Sequence, residues 1–145
     1  MIICDTSGLV AAYSATDKRH DQVTKALRAE PGPLVLSPFV LAEVDYLVSS
    51  RAGVQGELKV LSDVAAGVYR LAAFDGDDVA RAAEVVQRYR DMDIGLADAS
   101  IVVLAARFRT DRLLTLDERH FRAIRPLHAD AFALLPADAD SEGSP

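Results

Sequence analysis

Apolar and polar positions along the chain change period several times, and the changes mark out elements. Ile2-Ile3-Cys4 is a short apolar run ending at Asp5, which reads as a buried strand. From Asp17 to Ala29 the residues Val23, Ala26 and Leu27 recur on one side, which predicts a helix with Thr16 as its N-cap. Pro31-Gly32-Pro33 is a turn, and Leu34-Val35-Leu36 a second strand. Ser37 followed by Pro38 is a helix start that predicts a helix to about Arg51, broken at Gly53. Val54, Leu58, Leu61 and Val64 mark the next helix, and Val68–Ala73 is a candidate extended segment. Asp75 is placed to cap a helix carrying Val79, Ala83, Val86 and Tyr89. A polar loop at Asp91–Gly95 leads into an almost wholly apolar helix, Leu96 to Arg107. Strands at Arg112–Leu116 and Phe132–Leu135 complete the series.

Short apolar strands alternating with helices predict an α/β protein with a mostly parallel central sheet between helical layers. Residues 1–136 read as one domain without repeats or an internal linker, and the acidic ADADSEGSP at 137–145 as a disordered tail. Half of the 145 residues are apolar, enough for a core without covalent staples, and the single cysteine excludes an intramolecular disulfide. The longest uninterrupted apolar run, Ile101–Ala106, is too short to span a bilayer, and MIICD lacks a basic n-region, so the expected location is cytoplasmic. The net charge of −6 argues against a protein that relies on an overall basic field. Cations are nonetheless uneven: from Arg107 to Arg125 six arginines face Asp111, Asp117 and Glu118. That is either a solvated face or a surface for phosphates, with Arg112 and Arg119 as the candidate backbone-phosphate contacts.

Four acids stand in unusual places. Asp5 and Asp117 follow strands, where open parallel sheets bind ligands; an acidic turn or helix cap explains each equally well in isolation. Glu43 falls inside the apolar arc of its helix, about 40° from both Phe39 and Leu47, whereas Asp45 falls on the polar side. Asp98 lies in the first turn of the apolar helix, opposite Arg107, so its carboxylate is expected to point inward. The helix dipole stabilises a charge there by only about 0.3–1 kcal/mol, too little to offset burial. Clustered carboxylates repel one another, and a hard divalent cation resolves that conflict. Such a site generates a nucleophilic water and neutralises a phosphodiester.

Asp5-Thr6-Ser7 after the opening strand, Glu43 in SPFVLAEVDYLV, Asp98 in GLADASIVVLA and Asp117 in LLTLDERHF resemble, in order and context, the PIN-domain family. Within it they are most similar to the VapC toxins of type II toxin–antitoxin modules, over about residues 1–136. The resemblance implies an α/β/α sandwich and an endoribonuclease dependent on Mg²⁺ or Mn²⁺. It implies a VapB-type antitoxin as partner, a structured RNA such as tRNA or rRNA as substrate, and a homodimer. Asp5 and Asp98 would be the primary metal ligands, with Glu43 and Asp117 acting through waters or holding a second ion. Thr6 and Thr115 would fix carboxylate rotamers. Asp93 is expected to be a loop acid rather than a fifth ligand.

Other readings are weaker. Asp5-Thr6-Ser7-Gly8 matches the aspartic-protease signature, but those folds are nearly all β. A receiver domain needs a late lysine, and none follows Lys59. A dehalogenase-type phosphatase needs an acid where Ser7 stands. Cys4 reads as a buried filler rather than a nucleophile, no zinc spacing is present, and His120 and His128 read as surface residues. The remaining alternative is a PIN-like module that binds RNA or protein without nuclease turnover.

Overall fold

A computed structural model describes residues 1–142. Five short strands, β1 (Ile2–Cys4), β2 (Leu34–Leu36), β3 (Arg70–Leu71), β4 (Arg112–Leu114) and β5 (Ala133–Leu135), form one sheet in the order β3-β2-β1-β4-β5. All four pairings are parallel, with Ile3 opposite Val35 on one side and Leu113 on the other. Six helices flank the sheet: α1 (Thr6–Tyr13), α2 (His20–Ala29), α3 (Pro38–Ala65), α4 (Gly76–Arg88), α5 (Leu96–Phe108) and α6 (Glu118–Ala123). The chain steps from β1 outward to β3, then returns across β1 to β4. Right-handed crossovers therefore put α1–α3 on one face and the helices after β3 on the other. The expected three-layer α/β architecture is the observed one. Because the winding reverses at β1, a switch point opens between the carboxyl ends of β1 and β4.

Ile2, Ile3 and Cys4 have no exposed surface, nor do Leu113, Leu114 and Leu134; the central strands are apolar because both faces are covered, while the edge strand β3 is exposed. In α5, Ile101 to Ala105 are all buried, so this helix lies across the sheet centre and its first turn reaches the switch point. Cys4 is sealed in β1, and burial pushes its thiol far above the usual range, which leaves it a filler. The Ser37 hydroxyl accepts from the Phe39 amide, with Pro38 at the first helical position. Asp75 and Asp78 exchange side-chain and backbone hydrogen bonds in a capping box that opens α4.

Several expectations change. Helix α1 is absent from the periodicity reading, and the helix expected from Asp17 begins at His20 with Arg19, not Thr16, in the N-cap position. The α3 break at Gly53 is a kink with φ 68°. Beyond it, Val54, Leu58 and Leu61 are exposed rather than core-facing. Within the segment expected as a disordered tail, residues up to 142 make contacts with the domain. The Asp138 carboxylate accepts from the Leu134 amide and from Arg122, a short 3-10 turn covers Ala139–Ser141, and Glu142 pairs with Arg112. Residues 143–145 of that tail lie outside the described residues. Among the described residues, no helix is long and apolar enough to cross a membrane.

Candidate active site

The β1 strand ends at Cys4, and the chain turns into α1 with Asp5 in the N-cap position, its amide donating to the Leu114 carbonyl at 2.9 Å. Gly8 permits this close seating: a Cβ there would stand 2.8 Å from the Leu114 carbonyl oxygen. Asp5 is only 4% exposed, and its Oδ2 accepts from the Thr115 hydroxyl at 2.7 Å and the Ser7 hydroxyl at 2.9 Å. Those hydroxyls are themselves oriented, since Ser7 Oγ accepts from the Leu116 amide and Thr115 Oγ1 from the Asp117 amide. Both hydroxyl protons are thus committed to one carboxylate oxygen, and Oδ1 takes neither. Burial raises the Asp5 pKa. The hydroxyls oppose that shift, and the neighbouring Asp117 adds to it.

Asp98 occupies the first turn of α5, where Gly95 is the N-cap, so Asp98 is not the structural cap. Its carboxyl is pushed up to about 6, by desolvation first and then by the charges of Asp5 and Asp117, with His120 pulling the other way. Asp117 follows β4 by way of Thr115 and Leu116 and caps α6, accepting from the His120 amide at 3.1 Å. The His120 ring comes back over the cap: Nδ1 lies 3.1 Å from Asp117 Oδ2 and 3.3 Å from Asp98 Oδ2. Neither contact is a well-directed hydrogen bond, and Nδ1 is otherwise buried. His120, expected at the surface, is therefore part of the acidic cluster. The signal for it was the cap itself, because a residue three positions after an N-cap folds back over it.

Glu43 corrects the reasoning that singled it out. It is exposed, not buried in an apolar arc, and it faces the cleft with its Oε1 accepting from the Thr6 hydroxyl at 2.7 Å. The position of α3 is set by Ser37, whose Oγ meets Ser100 Oγ of α5 at 2.7 Å in the core; Ser100 in turn donates to the Ala97 carbonyl. That contact ties the helix bearing Glu43 to the helix bearing Asp98. Asp45 lies away from the cleft, beside Glu57.

Asp5, Glu43, Asp98 and Asp117 all line one cleft of about 320 Å³. Asp17, Arg19 and Arg51, none of them singled out from the sequence, line it too, while exposed Asp93 does not. Arg112 is a correction. It opens β4 at the amino end of the sheet, beside Met1, and its guanidinium is taken by Glu30 and Glu142. It is neither near the acids nor free for phosphate. Arg107 is likewise paired with Asp78, and Arg122 with Glu118 and Asp138. Arg119 is exposed on α6, outside the cleft lining.

The donor set is all oxygen, and burial with the neighbouring charge of Asp117 raises the carboxyls of Asp5 and Asp98, a combination that suits a hard cation. Among the described residues no three His, Cys, Asp or Glu side chains converge on a common point. The arrangement therefore suits an ion that takes one or two carboxylates directly and keeps several waters, as Mg²⁺ does.

The PIN-domain family model matches residues 2–126. Ribonuclease VapC26 of Mycobacterium tuberculosis is 44% identical over 135 residues, spanning 93% of this chain and all of that protein. Among solved structures, the sarcin-ricin-loop-cleaving toxin VapC20 of M. tuberculosis superposes with a TM-score of 0.75 at 21% identity, covering 83% of this chain and 94% of that one. A toxin–antitoxin complex from Klebsiella pneumoniae gives 0.65 at 22% identity, over 86% and 92%. Both share the fold described above. By its family match and its curated relative, the chain belongs to the PIN-domain family, in its VapC branch.

Proposed function

We propose that the protein is a metal-dependent endoribonuclease, the toxin of a type II toxin–antitoxin module. The observation that carries this reading is the carboxylate cluster at the switch point, where burial and the charge of Asp117 raise the carboxyls of Asp5 and Asp98 and Glu43 faces them across one cleft. Near-complete coverage of a ribonuclease of the VapC branch at 44% identity supports it.

Asp5 and Asp98 would hold a Mg²⁺ or Mn²⁺ directly, with Asp117 and Glu43 reaching it through waters or holding a second ion. When bound, the metal acidifies a water and neutralises charge on the phosphodiester. The chain's own residues do the rest. Ser7 and Thr115 fix the Asp5 rotamer, so that its ligating oxygen is presented rather than searched for. Thr6 holds Glu43 where it orients the attacking water and takes its proton. His120 Nδ1 stands between Asp98 and Asp117 and pulls the raised Asp98 carboxyl back toward its ordinary range. The water oxygen forms a bond to phosphorus in line with the departing 3′ oxygen, which leaves with a proton. The products are a 5′-phosphate and a 3′-hydroxyl. Membership of the VapC branch supports a VapB-type antitoxin as partner and a homodimer as the working form.

The test is incubation of the purified protein, free of partner, with total bacterial RNA, with and without Mg²⁺ or Mn²⁺, beside Asp98→Asn. Discrete metal-dependent fragments absent from the variant are expected. Fragments that persist in Asp98→Asn would assign cleavage to a contaminant. Intact RNA in every lane, including with tRNA and rRNA, would favour a binding module without turnover.

A further inference from the structure

The acidic cleft presents an electrostatic difficulty for the substrate proposed above. Five carboxylates line it, Asp17 included, and RNA is a polyanion. A bound cation relieves the centre, but the phosphates flanking the cut still approach negative walls. Among the described residues only two cations line the cleft, Arg19 and Arg51. Their placement is not symmetric with the rest of the lining. Arg51, with Val10 and Asp17, also lines a second groove of about 580 Å³, which runs between Tyr13 and Ala52. Arg19 also lines a third, of about 590 Å³, which runs between Lys25 of α2 and Pro136. The cleft thus shares lining with two more voluminous depressions, and an arginine is among the residues shared with each.

Arg51 is exposed and makes no ion pair among the described residues, although its charge reaches Asp17. Arg19 is half exposed; its Nε pairs with Asp17 at a long 3.4 Å, and its backbone amide donates to the same carboxylate at 2.8 Å, so its two terminal nitrogens are uncommitted among the described residues. Arg107, Arg112 and Arg122 are held in closer ion pairs. A guanidinium fork matches a phosphate bidentately, and a free one at a cleft mouth suits that task. The grooves beyond add hydroxyls from Ser14 and Thr16 on one side and Gln22 and Lys25 on the other.

Resting on the nuclease reading for the identity of the polymer, we propose that a single RNA strand crosses the cleft from one groove to the other. Arg19 and Arg51 hold the phosphates on either side of the bond that is cut. They are positioning residues, and they replace the sequence-based assignment of that role to Arg112 and Arg119.

The experiment measures binding of a short, fluorescently labelled, mixed-sequence single-stranded oligoribonucleotide by anisotropy. It uses the full chain in an Asp98→Asn background, across a salt series. Arg19→Ala and Arg51→Ala should each lower the salt slope by about 0.7 and weaken binding about fivefold at roughly 0.1 M salt. Arg51→Lys should keep the slope, and Arg88→Ala, an equal charge change on the far helix α4, should match the background protein. Variants that behave like Arg88→Ala would overturn the strand path, as would failure of the background protein to bind at all. Cleavage of total RNA is then compared with Asp98 restored. Parent-like KM and rate in both alanine variants would remove the inference and leave the nuclease standing. Arginine-dependent binding without cleavage by the parent would do the reverse. Normal RNA binding by Arg51→Ala together with lost capture of a co-expressed VapB-type antitoxin would give the groove to the protein partner instead.

Discussion

Asp98 concentrates the conflict of the site in one side chain. Its carboxyl is pushed up to about 6 by desolvation and by Asp5 and Asp117. A carboxyl whose folded pKa exceeds its unfolded value favours folding only while protonated. The sign follows: stability is fully present below the unfolded value near 4 and is lost as pH rises through about 6. Metal-free Asp98→Asn should therefore melt higher than the parent at pH 8, by about 1–2 kcal/mol once solvent screening is allowed for, and equal it near pH 4. Thermal melts in a chelator across pH check this, and a lower melting point for the variant at pH 8 would contradict it. The same residue scale separates Glu43 from its neighbour two positions on. Glu43→Gln should lower cleavage by about 10²-fold or more, because the group that faces the cleft loses its basicity. Asp45→Asn should cleave like the parent, since Asp45 faces Glu57 and not the cleft; equal loss in both would place the wrong face of α3 at the site.

Elements set how closely these residues can meet, and α1 shows the constraint best. A Cβ at Gly8 would press on the Leu114 backbone, which has no freedom to swing aside. Gly8→Ala should cost about 1–3 kcal/mol as an overpacking change. It should also weaken cleavage out of proportion to stability, because the helix it displaces carries Thr6 and Ser7. Chemical denaturation and a single-turnover rate on the same preparation separate the two effects. The kinked α3 brings Glu57 against Asp45, and that contact raises the Glu57 pKa. Folding is then favoured at low pH and penalised as pH rises. Glu57→Gln, which offers Asp45 an amide donor, should raise the melting point at pH 8 and not at pH 4.

Element scale is also where sequence reading reached its limit. The inner strands and α5 were legible because burial on both faces leaves near-continuous apolar runs; the exposed edge strand β3 has no such run. The residues Asp5, Asp98 and Asp117 were legible because they interrupt or end those runs. TSGLVAAY of α1 has small and apolar residues all round and so no stripe, and ERHFRA of α6 is too short for a period. Glu43 was found by a burial argument that its exposed position contradicts. Arg19, Arg51 and His120 reach the site through a loop, the middle of α3 just before its kink, and a cap, which are placements that periodicity does not carry.

At the scale of the whole molecule the net charge of −6 is unevenly held. Half of the arginines that the sequence gathers between Arg107 and Arg125 are spent on structure: Arg107 pairs with Asp78, Arg112 fastens Glu142 and Glu30 at the amino edge of the sheet, and Arg122 fastens Asp138. Among the described residues the carboxylates at the opposite edge have only His120 beside Asp98 and Asp117 and Arg19 beside Asp17, a local excess of negative charge that the proposed cation would relieve. Anything that binds the folded chain alone stabilises it by linkage, about 2.7 kcal/mol at a hundredfold excess over Kd. For a domain of this length that is a rise of roughly 5–11 °C in Tm. Titration of Mg²⁺ or Mn²⁺ into chelator-treated protein should give this rise with Asp45→Asn and lose it with Asp5→Asn. The edge held by Arg112 should not respond, so Arg112→Lys should lower the starting Tm without changing the increment. A Tm indifferent to either cation at every concentration would mean that the four acids do not form a metal site, and the hydrolytic reading would go with it.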